Sequence, residues 1–296
     1  MRRLLCIFLL MATCISVAYA DDRIVSRSYW EDASREASFE QAQSNEFKPY
    51  TGVLSRGYTT STVWIKLEVS PQHDVKADDK LILRIRPIYL DEITLYDPLD
   101  TSGKRRVIGD RTNYKDEEYK SLTHTFVIPA GENPRYVWLR LKATSTSLIN
   151  VEAFTAEEML ASEYHLLIGY CLVLSLIVVF LVLVFINWLN YREYLYAAFV
   201  ARHALYFIYT ASFFGFHRYV LDGVIDAKYL DLIYNWLVIG ATGFSLWFES
   251  RFLREYSPPT WARNVINGLL VWSACAAILL LFGQIHQALK LNMLLN

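Results

Sequence analysis

Cysteine is scarce, and none lies where a disulfide could brace the front of the chain. The four are Cys6, Cys14, Cys171 and Cys275. Two fall in an N-terminal apolar segment and two in long apolar runs farther on, so residues 21–163 contain none. That excludes a disulfide framework there and leaves the compartment open. A basic arm or patch is also missing: 29 Lys and Arg face 30 Asp and Glu. Nucleic acid is therefore not an expected partner. The apolar stretches hold no G-x-S-x-G, no paired His-x-x-x-His and no deep Ser/His or Asp/Asp constellation. His73 and His124 stand apart. Asp78–Asp79 and Asp116–Glu117–Glu118 read as solvated loop acids, and neither run has the ligand spacing of a calcium loop. No cofactor, metal or catalytic role is expected.

What is present is a run of 21 residues without a charge, Leu166–Ile186, apolar on every face. A bilayer core of about 30 Å needs about 20 apolar residues as helix, and a single segment satisfies its backbone in lipid only as a helix. Three further stretches follow, so the expectation is a polytopic α-helical membrane domain over 161–296. Its helices are expected at about 165–188, 194–216, 230–250 and 264–283. Tyr and Trp gather near the ends of these stretches, as interfacial belts do. Arg202 and His203 lie inside the second stretch and Glu249 at the end of the third. Intramembrane ionisable residues are functional candidates. The depth is modest, however, and favours a structural reading in which Arg202 pairs with Glu249 or snorkels to the near interface.

The N-terminus sets the direction. Met1–Arg2–Arg3 is a positive start, Leu4–Ala18 a short apolar core, and Ala18–Tyr19–Ala20 an A-x-A cleavage site. Residues 1–20 thus read as a secretory signal peptide, with a signal anchor as the rival. Residues 21–160 are then exported and the first span runs outside to inside. The inside loops carry Arg192, Arg251, Arg254 and Arg263; the outside loops carry Arg218, Lys228 and Lys290. This is a small bias in the direction of the positive-inside rule.

The exported part alternates. Segments 62–69, 80–86, 91–97, 123–128, 135–143 and 147–154 are short, β-branched and separated by Pro, Gly and Ser turns. They predict an all-β sandwich. Residues two apart share a face of a strand. Val63, Ile65, Leu67 and Val69 are then core, as are Leu81, Leu83, Ile85, Val137, Leu139 and Leu141. The opposite faces carry Trp64, Lys66, Arg84, Arg86, Tyr96, Trp138 and Arg140. Aromatic rings beside cations suit a sugar or an anion. The same pattern also stabilises sheets by cross-strand pairing, or lies under the N-terminal segment.

Taken in order, these features resemble bacterial seven-transmembrane receptors with diverse intracellular signalling modules. The similarity begins at Tyr29–Trp30–Glu31–Asp32 and Phe47–Lys48–Pro49. It is sharpest at Ser55–Arg56–Gly57–Tyr58 and Val63–Trp64–Ile65–Lys66–Leu67, and it includes Leu81–Asp97. In the membrane half it includes 190–196 (NYREYLY) and Phe252–Leu253. The resemblance implies a jelly-roll-like sandwich, the second of that family's two extracellular domain types, in a bacterial inner membrane. It implies a small periplasmic ligand, carbohydrate among the classes, and a homodimer or a cytoplasmic signalling partner. The family has seven spans where four are read here, so this could be a fragment, a disrupted gene or a piece that works with a partner. The leading expectation is a signal-transduction receptor. The alternatives are the N-terminal part of a sensor diguanylate cyclase or histidine kinase, and a transporter or channel subunit. The last is disfavoured by the lack of acids deep in the spans.

Overall fold

The computed structural model describes residues 22–70 and 79–295. The signal-peptide reading, with Ala18 and Ala20, and the readings of His73 and Asp78 fall outside those residues. Among the described residues ten strands form two antiparallel sheets. β1 (Ile24–Asp32), β2 (Lys48–Pro49), β4 (Thr62–Val69), β6 (Glu92–Tyr96), β7 (Arg106–Ile108) and β9 (Arg135–Lys142) pair in the order β2-β1-β4-β9-β6-β7. β3 (Leu54–Ser55), β5 (Lys80–Arg86), β8 (His124–Pro129) and β10 (Leu148–Thr155) pair in the order β3-β10-β5-β8.

Six strands lie where the alternation placed them. In β4, Val63, Ile65, Leu67 and Val69 all enter the inter-sheet core, joined by Leu83 and Ile85 of β5, Leu139 and Leu141 of β9, and Val151 of β10. β1 carried no such signal, because most of its residues are only half buried and neither face is clearly apolar. A short helix, α1 (Phe39–Gln43), begins at Ser38. Its hydroxyl accepts from the Gln41 backbone N–H, and the Gln41 side chain bonds back to the Ser38 N–H. This is a capping box.

The second half is helical: α2 (Ala156–Tyr191), α3 (Tyr194–Phe213), α4 (Phe216–Val220), α5 (Ala227–Arg254), α6 (Thr260–Leu281) and α7 (Ile285–Met293). Two of these, Ala156–Tyr191 and Thr260–Leu281, are long and apolar enough to cross a membrane. α3 and α5 occupy the other two stretches read as spans, and the four pack as sequence neighbours. Only 6% of the most apolar window of α2 is buried. Leu172, Leu176, Val179, Phe180 and Leu183 face outward, a surface that suits lipid and not water. The helix is capped by Thr155, whose hydroxyl accepts from the Glu158 N–H while the Glu158 carboxylate accepts from the Thr155 N–H. Thr155 is also the last residue of β10. Strand therefore passes into span with no linker. At 36 residues α2 is about 54 Å long, so it begins well outside a bilayer core.

Candidate functional site

The seven sequence-selected residues do not form one surface. Trp64, Lys66, Tyr96, Trp138 and Arg140 come from adjacent strands, and the register sets Trp64 opposite Arg140, Lys66 opposite Trp138, and Tyr96 opposite Trp138. They share the outer face of the six-stranded sheet, but that face is not open. α1 lies on it. Phe39 stacks on Tyr96 (centroids 4.6 Å apart), meets Trp138 edge-on at 5.3 Å and reaches Trp64 at 6.3 Å. Trp64 is 0% exposed and Trp138 9%. Asp32 sets the turn that brings α1 over, its carboxylate accepting from the backbone N–H groups of Ser34 and Ala37. Arg140 closes the edge, 5.5 Å from the Trp64 ring and hydrogen-bonded to the Arg35 carbonyl. Tyr136 stays exposed, with Lys66 Nζ 3.9 Å over its ring.

Arg84 and Arg86 belong to β5, in the other sheet. Both grip Glu152 of β10, Arg84 through Nε and Nη2 at 3.0 and 2.8 Å and Arg86 at 2.9 Å. Arg84 also donates to Ser162 Oγ of α2 at 2.7 Å. This pair ties the sheet to the first turns of the long helix. The expectation of one aromatic–cationic platform is thus corrected: period-two alternation assigns faces within a strand but cannot say which strands share a sheet.

In the bundle, Arg202 Nη2 is 3.3 Å from Glu249 Oε1, and Nε donates to Ser245 Oγ at 3.3 Å. His203 bonds the Phe199 carbonyl one turn back and packs on Phe180. Arg202 and Glu249 therefore join α3 to α5, and His203 sets α3 against α2.

A different set of residues joins the two halves of the molecule. Arg218 of α4 ion-pairs with Glu117, and both are buried. Glu117 also holds His124 Nδ1 at 3.1 Å, while His124 Nε2 bonds the Ile88 carbonyl at 2.8 Å. Burial pushes the Glu117 carboxyl up. The His124 hydrogen bond and the Arg218 charge override it and hold the group below its ordinary value. Asn113 Oδ1 accepts from the Ala227 N–H at the start of α5 (3.2 Å), and His286 of α7 donates to the Thr144 carbonyl (2.8 Å). The α3–α5 and α6–α7 connections therefore lie on the sandwich side, and the α2–α3 and α5–α6 turns at the far end. That is the alternation the outside-to-inside topology requires. Glu117 is no solvated loop acid, which corrects the reading at that residue, while Asp116 and Glu118 are exposed as read. The sign was present at His124, two and four residues before Phe126 and Ile128, and so on their inward face.

Gly215 makes this docking close. It sits at φ +92°, and a Cβ there would lie 2.5 Å from the Leu122 carbonyl oxygen. Replacing it with alanine is expected to cost about 1–3 kcal/mol from backbone strain alone. Faster amide exchange over 112–124, with the far ends of the helices unchanged, is the measurement.

Beside the ion pair lies a cavity of about 190 Å³ between the sandwich and the outer ends of α3 and α5. Tyr58 and Tyr89 line it from the sandwich, Tyr209 and Tyr234 from the helices. Burial and the neighbouring phenols push Tyr89 up to about 12. At its floor, Asp91, Asp110 and Asp231 present carboxylate oxygens within 4.8 Å of one another. Arg111 bridges Asp91 (2.7 Å) and Asp231 (3.5 Å). Asp91 also accepts from the Thr144 N–H and Oγ, and Asp231 from Asn235 Nδ2. Asp110 Oδ1 is buried with no partner among the described residues. The sequence does not mark these residues as a group, because they come from distant parts of the chain; only Asp91, in strand register with Ile93, carries a sign of burial.

No curated protein matches the chain. Residues 26–155 match the family model described as 7TMR-DISM extracellular 2. The match covers β1 from Ser26 and ends at Thr155, where α2 begins. The β-sandwich is therefore similar to the 7TMR-DISM extracellular 2 domain, and it is followed by helices of which two are long and apolar enough to cross a membrane.

Proposed function

We propose that the chain is the sensory part of a bacterial inner-membrane receptor, in which the periplasmic sandwich senses a small ligand and shifts the helices. The observation that carries this reading is the docked junction. β10 runs into α2 without a linker, and Glu117–Arg218 and the Asp91–Arg111–Asp231 bridge tie sandwich loops to α4 and α5. A displacement in the sandwich must then either break buried ion pairs or move the helix ends. Signalling requires that the ligand favour one of two such arrangements. Carbohydrate is the first class to try, because Tyr136 and Lys66 leave an aromatic–cationic rim beside the covered centre of the sheet. Output is assigned to a cytoplasmic signalling module acting with this chain, as a homodimer or with a partner.

The test uses the full chain in nanodiscs with spin labels at positions 194 and 254, at the far ends of α3 and α5. Mono- and oligosaccharides are first screened by thermal shift. A ligand that raises Tm should also change the interlabel distance. A ligand that raises Tm and leaves the distance distribution untouched would make this a binding protein and not a receptor.

A further inference from the structure

We propose that Asp91, Asp110 and Asp231 hold a divalent cation of the calcium kind, which clasps the sandwich to α5. The proposal rests on the receptor reading for its consequence but not for its chemistry.

The geometry comes first. Two ligands on opposite sides of a cation with bonds of about 2.4 Å are about 4.8 Å apart. The three carboxylate oxygens all lie within that distance of one another. Among the described residues Asp110 Oδ1 has no hydrogen-bond partner, and it is buried. A buried carboxylate oxygen is almost always partnered. Asp110 lines the cavity, so a cation held there would supply the partner this oxygen lacks. Burial is high at all three positions: Asp91 is 6% exposed, Asp110 8% and Asp231 9%.

Charge comes next. Arg111 reaches Asp91 and Asp231 but not Asp110. Arg218, the other guanidinium nearby, is committed to Glu117. Three carboxylates against one cation leave two negative charges in a buried site, the charge a divalent ion supplies. The donor set is all oxygen, with no His or Cys among the three, which selects a hard cation over zinc or copper. The ligands come from two loops and a helix, an irregular set that calcium tolerates better than magnesium does. Asp91 is already bonded to Thr144 and Arg111, so Asp110 and Asp231 are the principal ligands and Asp91 completes the set. Phenol oxygens lining the cavity and water fill remaining positions.

The placement gives the ion a role. Asp91 precedes β6 and Asp110 follows β7, both on the sandwich, while Asp231 is on the first turns of α5. A bound ion would fix the two halves in one relative position. Losing it would leave Arg111 to hold the cluster alone.

Terbium is the probe, because tyrosine sensitises its emission and four tyrosines line the cavity. Metal-stripped full-length chain in nanodiscs is titrated with TbCl₃ and then challenged with CaCl₂ or MgCl₂. The expected result is saturable emission that calcium displaces more readily than magnesium. Asp110→Asn and Asp231→Asn should each weaken terbium binding about tenfold or more, while Asp116→Asn, at an exposed acid, should not. Calcium should also raise the Tm of the wild type. The proposal is overturned by non-saturable emission, by equal loss in Asp116→Asn, or by a wild-type Tm indifferent to calcium; the last applies even should an Asp variant not fold. The spin-label distances separate this from the receptor reading. Cation binding without any ligand-driven distance change sinks only the receptor. A ligand-driven change in a chain that binds no cation sinks only the clasp.

Discussion

Replacing Trp64 with alanine should lower the stability of the sandwich by about 3–5 kcal/mol, the usual cost of deleting a buried large aromatic. Trp64 is fully buried, between the sheet and α1. It meets Tyr96 at 5.4 Å and carries Arg140 at 5.5 Å. The loss removes the ring's own contacts and opens the space under Phe39, so α1 should loosen with it. Trp64→Phe is the informative companion. The indole Nε1 is buried with no hydrogen-bond partner among the described residues. Phenylalanine removes that unsatisfied donor and keeps a ring to stack, so most of the loss should be recovered. Urea unfolding of the full chain in detergent, followed by tryptophan emission, measures both. An alanine variant as stable as the wild type, with weakened sugar binding, would return this face to the status of an open binding platform.

That outcome also marks how far the sequence could be read. The alternation in 62–69 placed Val63, Ile65, Leu67 and Val69 in the core and Trp64 and Lys66 on the other side, and the structure keeps both assignments. Alternation is a property of one strand. It does not show that β4, β9 and β6 are neighbours while β5 lies with β10, so it cannot separate Arg84 and Arg86 from the aromatics of the other sheet. It also could not show the cover. Phe39 is a single large apolar residue in SFEQAQS, and its importance comes from the turn that Asp32 sets. The junction was least legible, because Glu117 and Arg218 are 101 residues apart and each looks like an ordinary loop charge. Only strand periodicity at His124 and at Asp91, inward with Ile93 and Leu95, hinted at buried polar groups. The span reading drew on a longer signal. Twenty-one uncharged residues in a row leave few alternatives to a helix in lipid.

Arg218→Ala should be as costly as the core truncation, at about 3–5 kcal/mol, because it leaves a buried carboxylate without its cation. The damage should be local. Arg218 holds α4 against the loop that carries Glu117, and its Nη2 also reaches the Thr112 carbonyl at 3.5 Å. Amide exchange should quicken over 112–124 and at the start of α5, where Ala227 bonds Asn113. The inter-sheet core and the far ends of the helices should keep their protection. The pH dependence supplies a second, independent sign. In the wild type, Glu117 is held below its ordinary value by His124 and Arg218 against the push of burial. A carboxyl with a depressed pKa contributes stability above the unfolded-state value of about 4.3, and that stability is lost as the pH falls through the folded value. Acidification from neutral should therefore loosen the junction of the wild type. Without Arg218, burial is opposed by His124 alone and the Glu117 pKa rises. The gap between folded and unfolded values then narrows, and the junction should lose less on acidification than the wild type does, from a lower starting point. Exchange measured at neutral pH and near pH 4 in both proteins gives the comparison. Equal acid sensitivity would mean that another group titrates at the junction, and unchanged exchange over 112–124 would mean that the ion pair does not hold the two halves together.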